Sequence, residues 1–177
     1  MDWPPLGERC FEGIQFDIYR RTVEVSKQVR FVQETASSAD IVRVYPIFSK
    51  STLVMTREYR HEVEKTVLRV ASGTIEDGES PAAAAIRELK EELGFVAESV
   101  DALGVTVPTL KVRQKIHHFV VFDPDIGNQR LEPSERIQPW PVAVESLNDL
   151  AFSGEVVEDG IIIGLLLLER KLSGRIG

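Results

Sequence analysis

The stretch GTIEDGESPAAAAIRELKEELGF, Gly73 to Phe95, decides how this chain is read. Its second half has the apolar spacing of a helix. Ser80 stands at the N-cap position, Pro81 at the first helical position, and Gly94 where a helix ends in a left-handed residue. On a wheel of about 100° per residue, Glu88, Glu91 and Glu92 share one face. Ala82, Ala85, Ile86, Leu89 and Leu93 point elsewhere, as a core stripe would. Like charges three and four residues apart repel each other. Such a cluster is either a solvated face or a seat for a hard divalent cation, which prefers carboxylate oxygens. The helix by itself leaves both readings open.

Around it, residues 13–33 alternate loosely and predict one or two strands. Residues 41–56 predict two strands joined near Ser49-Lys50-Ser51, and residues 66–71 a short one. Beyond the helix, residues 99–107 and 115–122 predict strands, and residues 123–135 a polar loop. A proline-containing edge strand is expected over 137–144, a short helix over 146–152, and a largely buried helix over 156–171. Strands flanking a central helix imply an α/β sandwich around a mixed sheet.

Composition narrows the partners. The 177 residues carry a formal net charge of -7. That gives no general attraction to a nucleic-acid backbone, so no nucleic-acid polymer is expected as a partner. The apolar run from Ile161 to Leu168 is too short to span a bilayer, so no membrane is expected either. The single cysteine, Cys10, forms no internal disulfide. With no signal-like N-terminal segment, a soluble cytoplasmic protein is the expectation.

The spacing of fixed residues resolves the acidic helix. Gly73 is followed by five residues and Glu79. Seven more lead to Arg87-Glu88-Leu89, then Lys90, Glu91-Glu92, Leu93, Gly94 and Phe95. Every specified position resembles the signature of the Nudix hydrolases. With ordinary residue usage, a chance match is on the order of one in ten million. The resemblance implies a Nudix-type α/β/α sandwich with extra N-terminal antiparallel strands. Residues 1–40 would be those strands, a dimerisation element, and residues 41–177 the hydrolase domain.

It also implies Mg²⁺, with Mn²⁺ as the alternative, and hydrolysis of a nucleoside diphosphate linked to another group. By the family pattern Glu88, Glu92, Glu91 and the Ser72 carbonyl hold metal, Gly73 lets the loop approach it, and Glu79 braces the loop through Arg87. The string Arg57-Glu58-Tyr59-Arg60 and Pro108, fourteen residues past Gly94, resemble the ADP-ribose pyrophosphatase and nucleoside-diphosphate-sugar branch. They nominate Arg57, Arg60 and Pro108 for substrate. A loop following the box would supply the general base, Glu135 first and Glu132 second, with Glu91 next. Strands such as 13–33 often build a homodimer in this branch.

Two positions depart from the branch. Arg69 stands where a glutamate is usual, and Thr109 where a glycine is. Other candidates have plain structural readings: His117 and His118 as packing residues, Trp3 and Trp140 as packing or stacking residues. The alternatives to a nucleotide-sugar hydrolase are a housecleaning nucleoside triphosphate or dinucleoside polyphosphate hydrolase, and a non-catalytic Nudix-fold nucleotide-binding regulator.

Overall fold

A computed structural model describes residues 3–133 and 135–174. In chain order its strands begin with β1 (Glu8–Phe11), β2 (Asp17–Glu24) and β3 (Arg30–Ser37). They continue through β4 (Ile41–Phe48), β5 (Thr52–Arg60), β6 (Lys65–Arg69) and β7 (Ala71–Thr74). Helix α1 (Pro81–Leu93) follows, then β8 (Phe95–Val96), β9 (Asp101–Thr106), β10 (Val112–Arg113), β11 (Ile116–Phe122), β12 (Asp125–Ile126) and β13 (Ile137–Ala143). Helices α2 (Leu147–Phe152) and α3 (Asp159–Leu172) close the chain.

The central sheet runs β13-β5-β4-β11-β9, with β6 paired to β5 and β7 to β4. It is mixed: β11 runs parallel to β4 and antiparallel to β9. Both faces are covered. Ala84, Ala85, Leu89 and Leu93 of α1 pack on Val42, Val44, Val54 and Phe119. On the other face Ile161, Leu165 and Leu168 of α3 and Leu147 of α2 pack on Tyr45, Ile47, Met55 and Val120. This is the α/β/α layering expected.

The N-terminal strands β1, β2 and β3 form an antiparallel ribbon whose last strand pairs in parallel with β10. Residues 13–33 therefore contribute to two strands, and β1 is an addition that its exposed, unpatterned residues did not signal. The single strand expected over 66–71 is two. The chain leaves β5 at Arg69 and joins β4 at Ala71, so its pairing partner changes across Val70. Strand β13 lies at the sheet edge, where Pro139 and Pro141 break no central ladder. The loop expected over 123–135 contains the two-residue β12, and α3 starts at Asp159, later than expected. Among the described residues no helix is long and apolar enough to cross a membrane.

Candidate active site

Helix α1 is terminated as its sequence demands. The Ser80 hydroxyl accepts the Ala83 N–H at 3.2 Å. Gly94 adopts φ 72° and donates its N–H to the carbonyls of Leu89 and Lys90. Ala84, Ala85, Leu89 and Leu93 are buried, while Ala82, expected in the core stripe, is exposed and Ile86 half-buried. The carboxylate face is turned toward β7 and the loop after it.

Arg87 gathers that face. Its Nε and Nη2 donate to the two oxygens of Glu79 at 3.1 and 3.0 Å. Its Nη1 donates to Glu88 at 2.6 Å and Glu91 at 3.2 Å, and Nη2 also reaches the Thr74 carbonyl at 2.9 Å. These contacts raise the guanidinium pKa, the Glu79 bond contributing most. The same bond lowers the Glu79 pKa. Glu79 also accepts the Glu76 N–H at 3.2 Å, so it ties the loop to the helix.

Glu92 is only 6% exposed and accepts the Ser72 N–H at 3.1 Å. Burial, and then the neighbouring Glu88, raise its pKa well above the ordinary carboxylate range. Burial also raises Glu88, against the pull of Arg87, and Glu91 and Glu135 add to the rise. Gly73 lies so close that a Cβ there would sit 1.9 Å from Glu88 Oε1.

The donor set suits a divalent cation. Two partly or fully buried carboxylates are destabilised by low dielectric and by each other, and a cation between them reverses both effects. Among the described residues, however, no three His, Cys, Asp or Glu side chains converge as a ready set of metal ligands. Glu88 and Glu91 face the Arg87 guanidinium, so engaging a cation requires their carboxylates to turn.

Two cavities meet at this point. One of about 480 Å³ holds Gly73, Arg87, Glu88, Glu91 and Glu92, with Glu132 and Glu135 opposite. The other, about 560 Å³, shares Ser72, Gly73, Glu92 and Glu135, and extends past Arg60, Arg69 and Pro108. Arg60, Pro108 and Glu135, far apart in sequence, are thereby brought to the acidic helix. Arg60 is already engaged: Nη1 donates to Glu58 at 2.9 Å, and Nη2 and Nε to Glu62 at 2.6 and 3.1 Å.

Other nominated residues lie elsewhere. Arg57 points to the opposite side of β5, over the Trp140 ring at 4.6 Å, in a separate small cavity. Trp3 lies 5.8 Å from the Arg113 guanidinium, also away from the acidic helix. His118 is wholly buried between Tyr45 and Thr106, at 3.2 and 2.9 Å, and burial lowers its pKa to about 4. His117 faces Asp40 at 3.7 Å.

An ion cluster on the wall of the larger cavity escaped the sequence reading. Arg69 donates to Glu58 at 2.8 Å and to Glu158 at 2.5 Å, and Arg43 donates to Glu158 at 2.6 Å. Burial works to lower the Arg69 pKa, but Glu158 and Glu58 outweigh it and raise it. Arg43 is 4% exposed, and its Nε and Nη1 have no partner among the described residues. The signal was present but divided. Arg69 already stood out as a departure from the branch, but its partners Glu58 and Glu158 lie 11 and 89 residues away in sequence.

The chain as a whole is similar to known proteins. The NUDIX domain family pattern matches residues 37–160. The chain is 24% identical over 167 residues to the ADP-ribose pyrophosphatase of Bacillus subtilis (strain 168), covering 93% of this chain and 90% of that protein. It is 29% identical over 166 residues to the ADP compounds hydrolase NudE of Escherichia coli (strain K12), covering 90% and 87%. A crystal structure of ADP compounds hydrolase superposes with a TM-score of 0.84 at 26% identity, covering 95% of this chain and 92% of that one.

Proposed function

The chain belongs to the Nudix family, and from that premise we propose that it hydrolyses the pyrophosphate bond of a nucleoside diphosphate sugar. ADP-ribose is the leading substrate, in keeping with the names of the Bacillus subtilis and Escherichia coli relatives. Water and the substrate yield a nucleoside monophosphate and a sugar phosphate. The observation that carries the reading is the meeting of Glu88, Glu92 and Gly73 with Arg60 and Glu135 around two joined cavities.

Glu88, Glu92 and the Ser72 carbonyl would hold Mg²⁺, with Glu91 as a further ligand and Mn²⁺ as a substitute. Such an ion neutralises pyrophosphate oxygens and acidifies water. Glu135 takes the proton from the attacking water as its oxygen bonds to phosphorus, and the bridging oxygen departs with the electron pair. Glu132, the nearest other loop carboxylate, is the alternative base. Arg60 contacts a phosphate by exchanging one of its carboxylate partners, and Pro108 shapes the wall beside it. Glu79 and Arg87 brace the loop that carries Gly73. Arg57, turned to the other side of its strand, has no part in this assignment.

We further propose a homodimer formed through residues 1–40. Phe11, Val25, Val29, Phe31 and Val32 of that region are all exposed in the single chain. A reducing, cytoplasmic setting suits the free and exposed Cys10.

A screen of nucleotide sugars with Mg²⁺, read as phosphate released by a coupled phosphatase, tests the function. Turnover of ADP-ribose or another nucleoside diphosphate sugar is expected. Activity confined to nucleoside triphosphates would overturn the substrate assignment.

A further inference from the structure

We infer that Gln129 is a positioning residue, which sets Glu135 over the carboxylate face by closing the loop that carries it. The inference rests on Glu135 being the base. The last carbonyls of an α-helix have no partner inside the helix, and here the loop supplies them. Gly127 N–H donates to the Gly94 carbonyl at 2.7 Å, and Arg130 N–H to the Glu91 carbonyl at 2.8 Å. The Gln129 side-chain amide donates to the Glu92 carbonyl and also to the Ile137 carbonyl, at 3.3 Å.

That last pair is the telling one. Nε2 of a glutamine has two N–H groups, and here both point at main-chain carbonyls. One belongs to α1, at the buried carboxylate residue itself. The other is the first residue of β13, two positions after Glu135. The side chain thus joins the two ends of the segment that bears Glu132 and Glu135. Within that segment, Glu135 Oε2 accepts the Glu132 N–H at 2.8 Å, and Glu135 N–H donates to the Glu132 carbonyl. The approach is tight on the helix side too. A Cβ on Gly94 would lie 2.6 Å from the Gln129 main-chain nitrogen. These contacts hold the loop against the helix end, and through that joint Gln129 sets the reach of Glu135 toward Glu88 and Glu92.

Gln129→Met keeps the length of the side chain and removes both donors. Misplacing a catalytic group by about 1 Å costs on the order of 10²-fold in rate. The variant is expected to lose about ten- to a hundredfold in kcat, with KM for ADP-ribose and the Mg²⁺ half-saturation within about twofold of the parent. In a Glu135→Gln background the same change should cost little more, since the group it positions is already gone. Gln129→Asn, with the amide on a stem one carbon shorter, gives a milder form of the same result should the methionine variant fail to fold.

Full kcat in both Gln129 variants, with Glu135→Gln impaired, overturns the positioning role alone. So does an equal loss in the Glu135→Gln background, or a shifted Mg²⁺ titration, since Gln129 would then act on the helix carboxylates. Full activity in Glu135→Gln overturns the assignment of the base, and the inference with it.

Discussion

Gly73 and Glu88 occupy space that leaves no room for a methyl group: a Cβ on Gly73 would fall 1.9 Å from one Glu88 carboxylate oxygen and 2.5 Å from the other. The neighbour is the far end of a flexible side chain, so Gly73→Ala is absorbed by moving the carboxylate and not the strand. Thermal stability should change little. The Mg²⁺ half-saturation should rise and kcat fall by about ten- to a hundredfold, as for a misplaced catalytic group. A metal titration of the alanine variant checks this, and an unchanged curve would detach Glu88 from the cation.

Arg69 and Glu58 pair inside a larger cluster, in which Arg60 also holds Glu58 and Arg43 also holds Glu158. Removing one partner of an isolated buried pair typically costs about 3–5 kcal/mol, because the other charge is left unmatched. Arg69→Met should destabilise the protein by less than that, since both carboxylates keep a second arginine. Glu58→Gln together with Arg69→Met should recover part of the loss. Urea unfolding of the single and double variants measures the coupling. Additive losses would mean that the two charges do not act together.

These two relationships mark where the sequence was informative and where it was not. Helix α1 could be read because Ser80, Pro81 and Gly94 each do a local job. The resemblance that nominates it for a cation rests on spacing, which is also local. Glu135 could be nominated because it precedes β13 much as a loop glutamate precedes the corresponding strand in the branch it resembles. Arg57 could not be placed, since neighbouring strand residues face opposite sides of a sheet, and only the register shows that Glu58 and Arg60 face the cavity. The partnership of Glu58 with Arg69 depends on the pairing of β5 with β6, which brings Thr56 opposite Arg69. Gln129 carries no charge and matches no motif. Its role exists only because the loop folds back on the helix end.

His118 gives the fold a dependence on pH. Burial lowers its pKa from 6.5 to about 4. A histidine depressed in the folded state is charged more readily when unfolded. Its contribution is fully present above about pH 6.5 and is lost as pH falls toward 4. At about 1.4 kcal/mol per pH unit, the loss over that window is on the order of 3 kcal/mol. Melting temperatures of the parent and His118→Gln between pH 7 and 4 should converge as pH falls. Parallel curves would show that His118 does not titrate in this way.

The exposed apolar residues of the N-terminal ribbon should be covered by a second copy. Light scattering at micromolar concentration is expected to give twice the 19.8 kDa chain mass. Phe31→Lys, which places a charge among these exposed apolar residues, should shift the population toward the monomer. A monomeric mass for the parent protein would remove the dimer.

On the proposed function, Glu92 helps hold a divalent cation that drives cleavage of a nucleotide sugar at its pyrophosphate. Incubating ADP-ribose with Mg²⁺ and following the products by ³¹P NMR, for the parent and for Glu92→Gln, tests it most directly. The parent should release AMP and ribose 5-phosphate. The variant, with shape kept and one charged ligand lost, should fold normally and turn over more slowly by about two orders of magnitude or more. Equal product formation by a well-folded Glu92→Gln, at the same Mg²⁺ concentration, would show that Glu92 does not hold a catalytic cation.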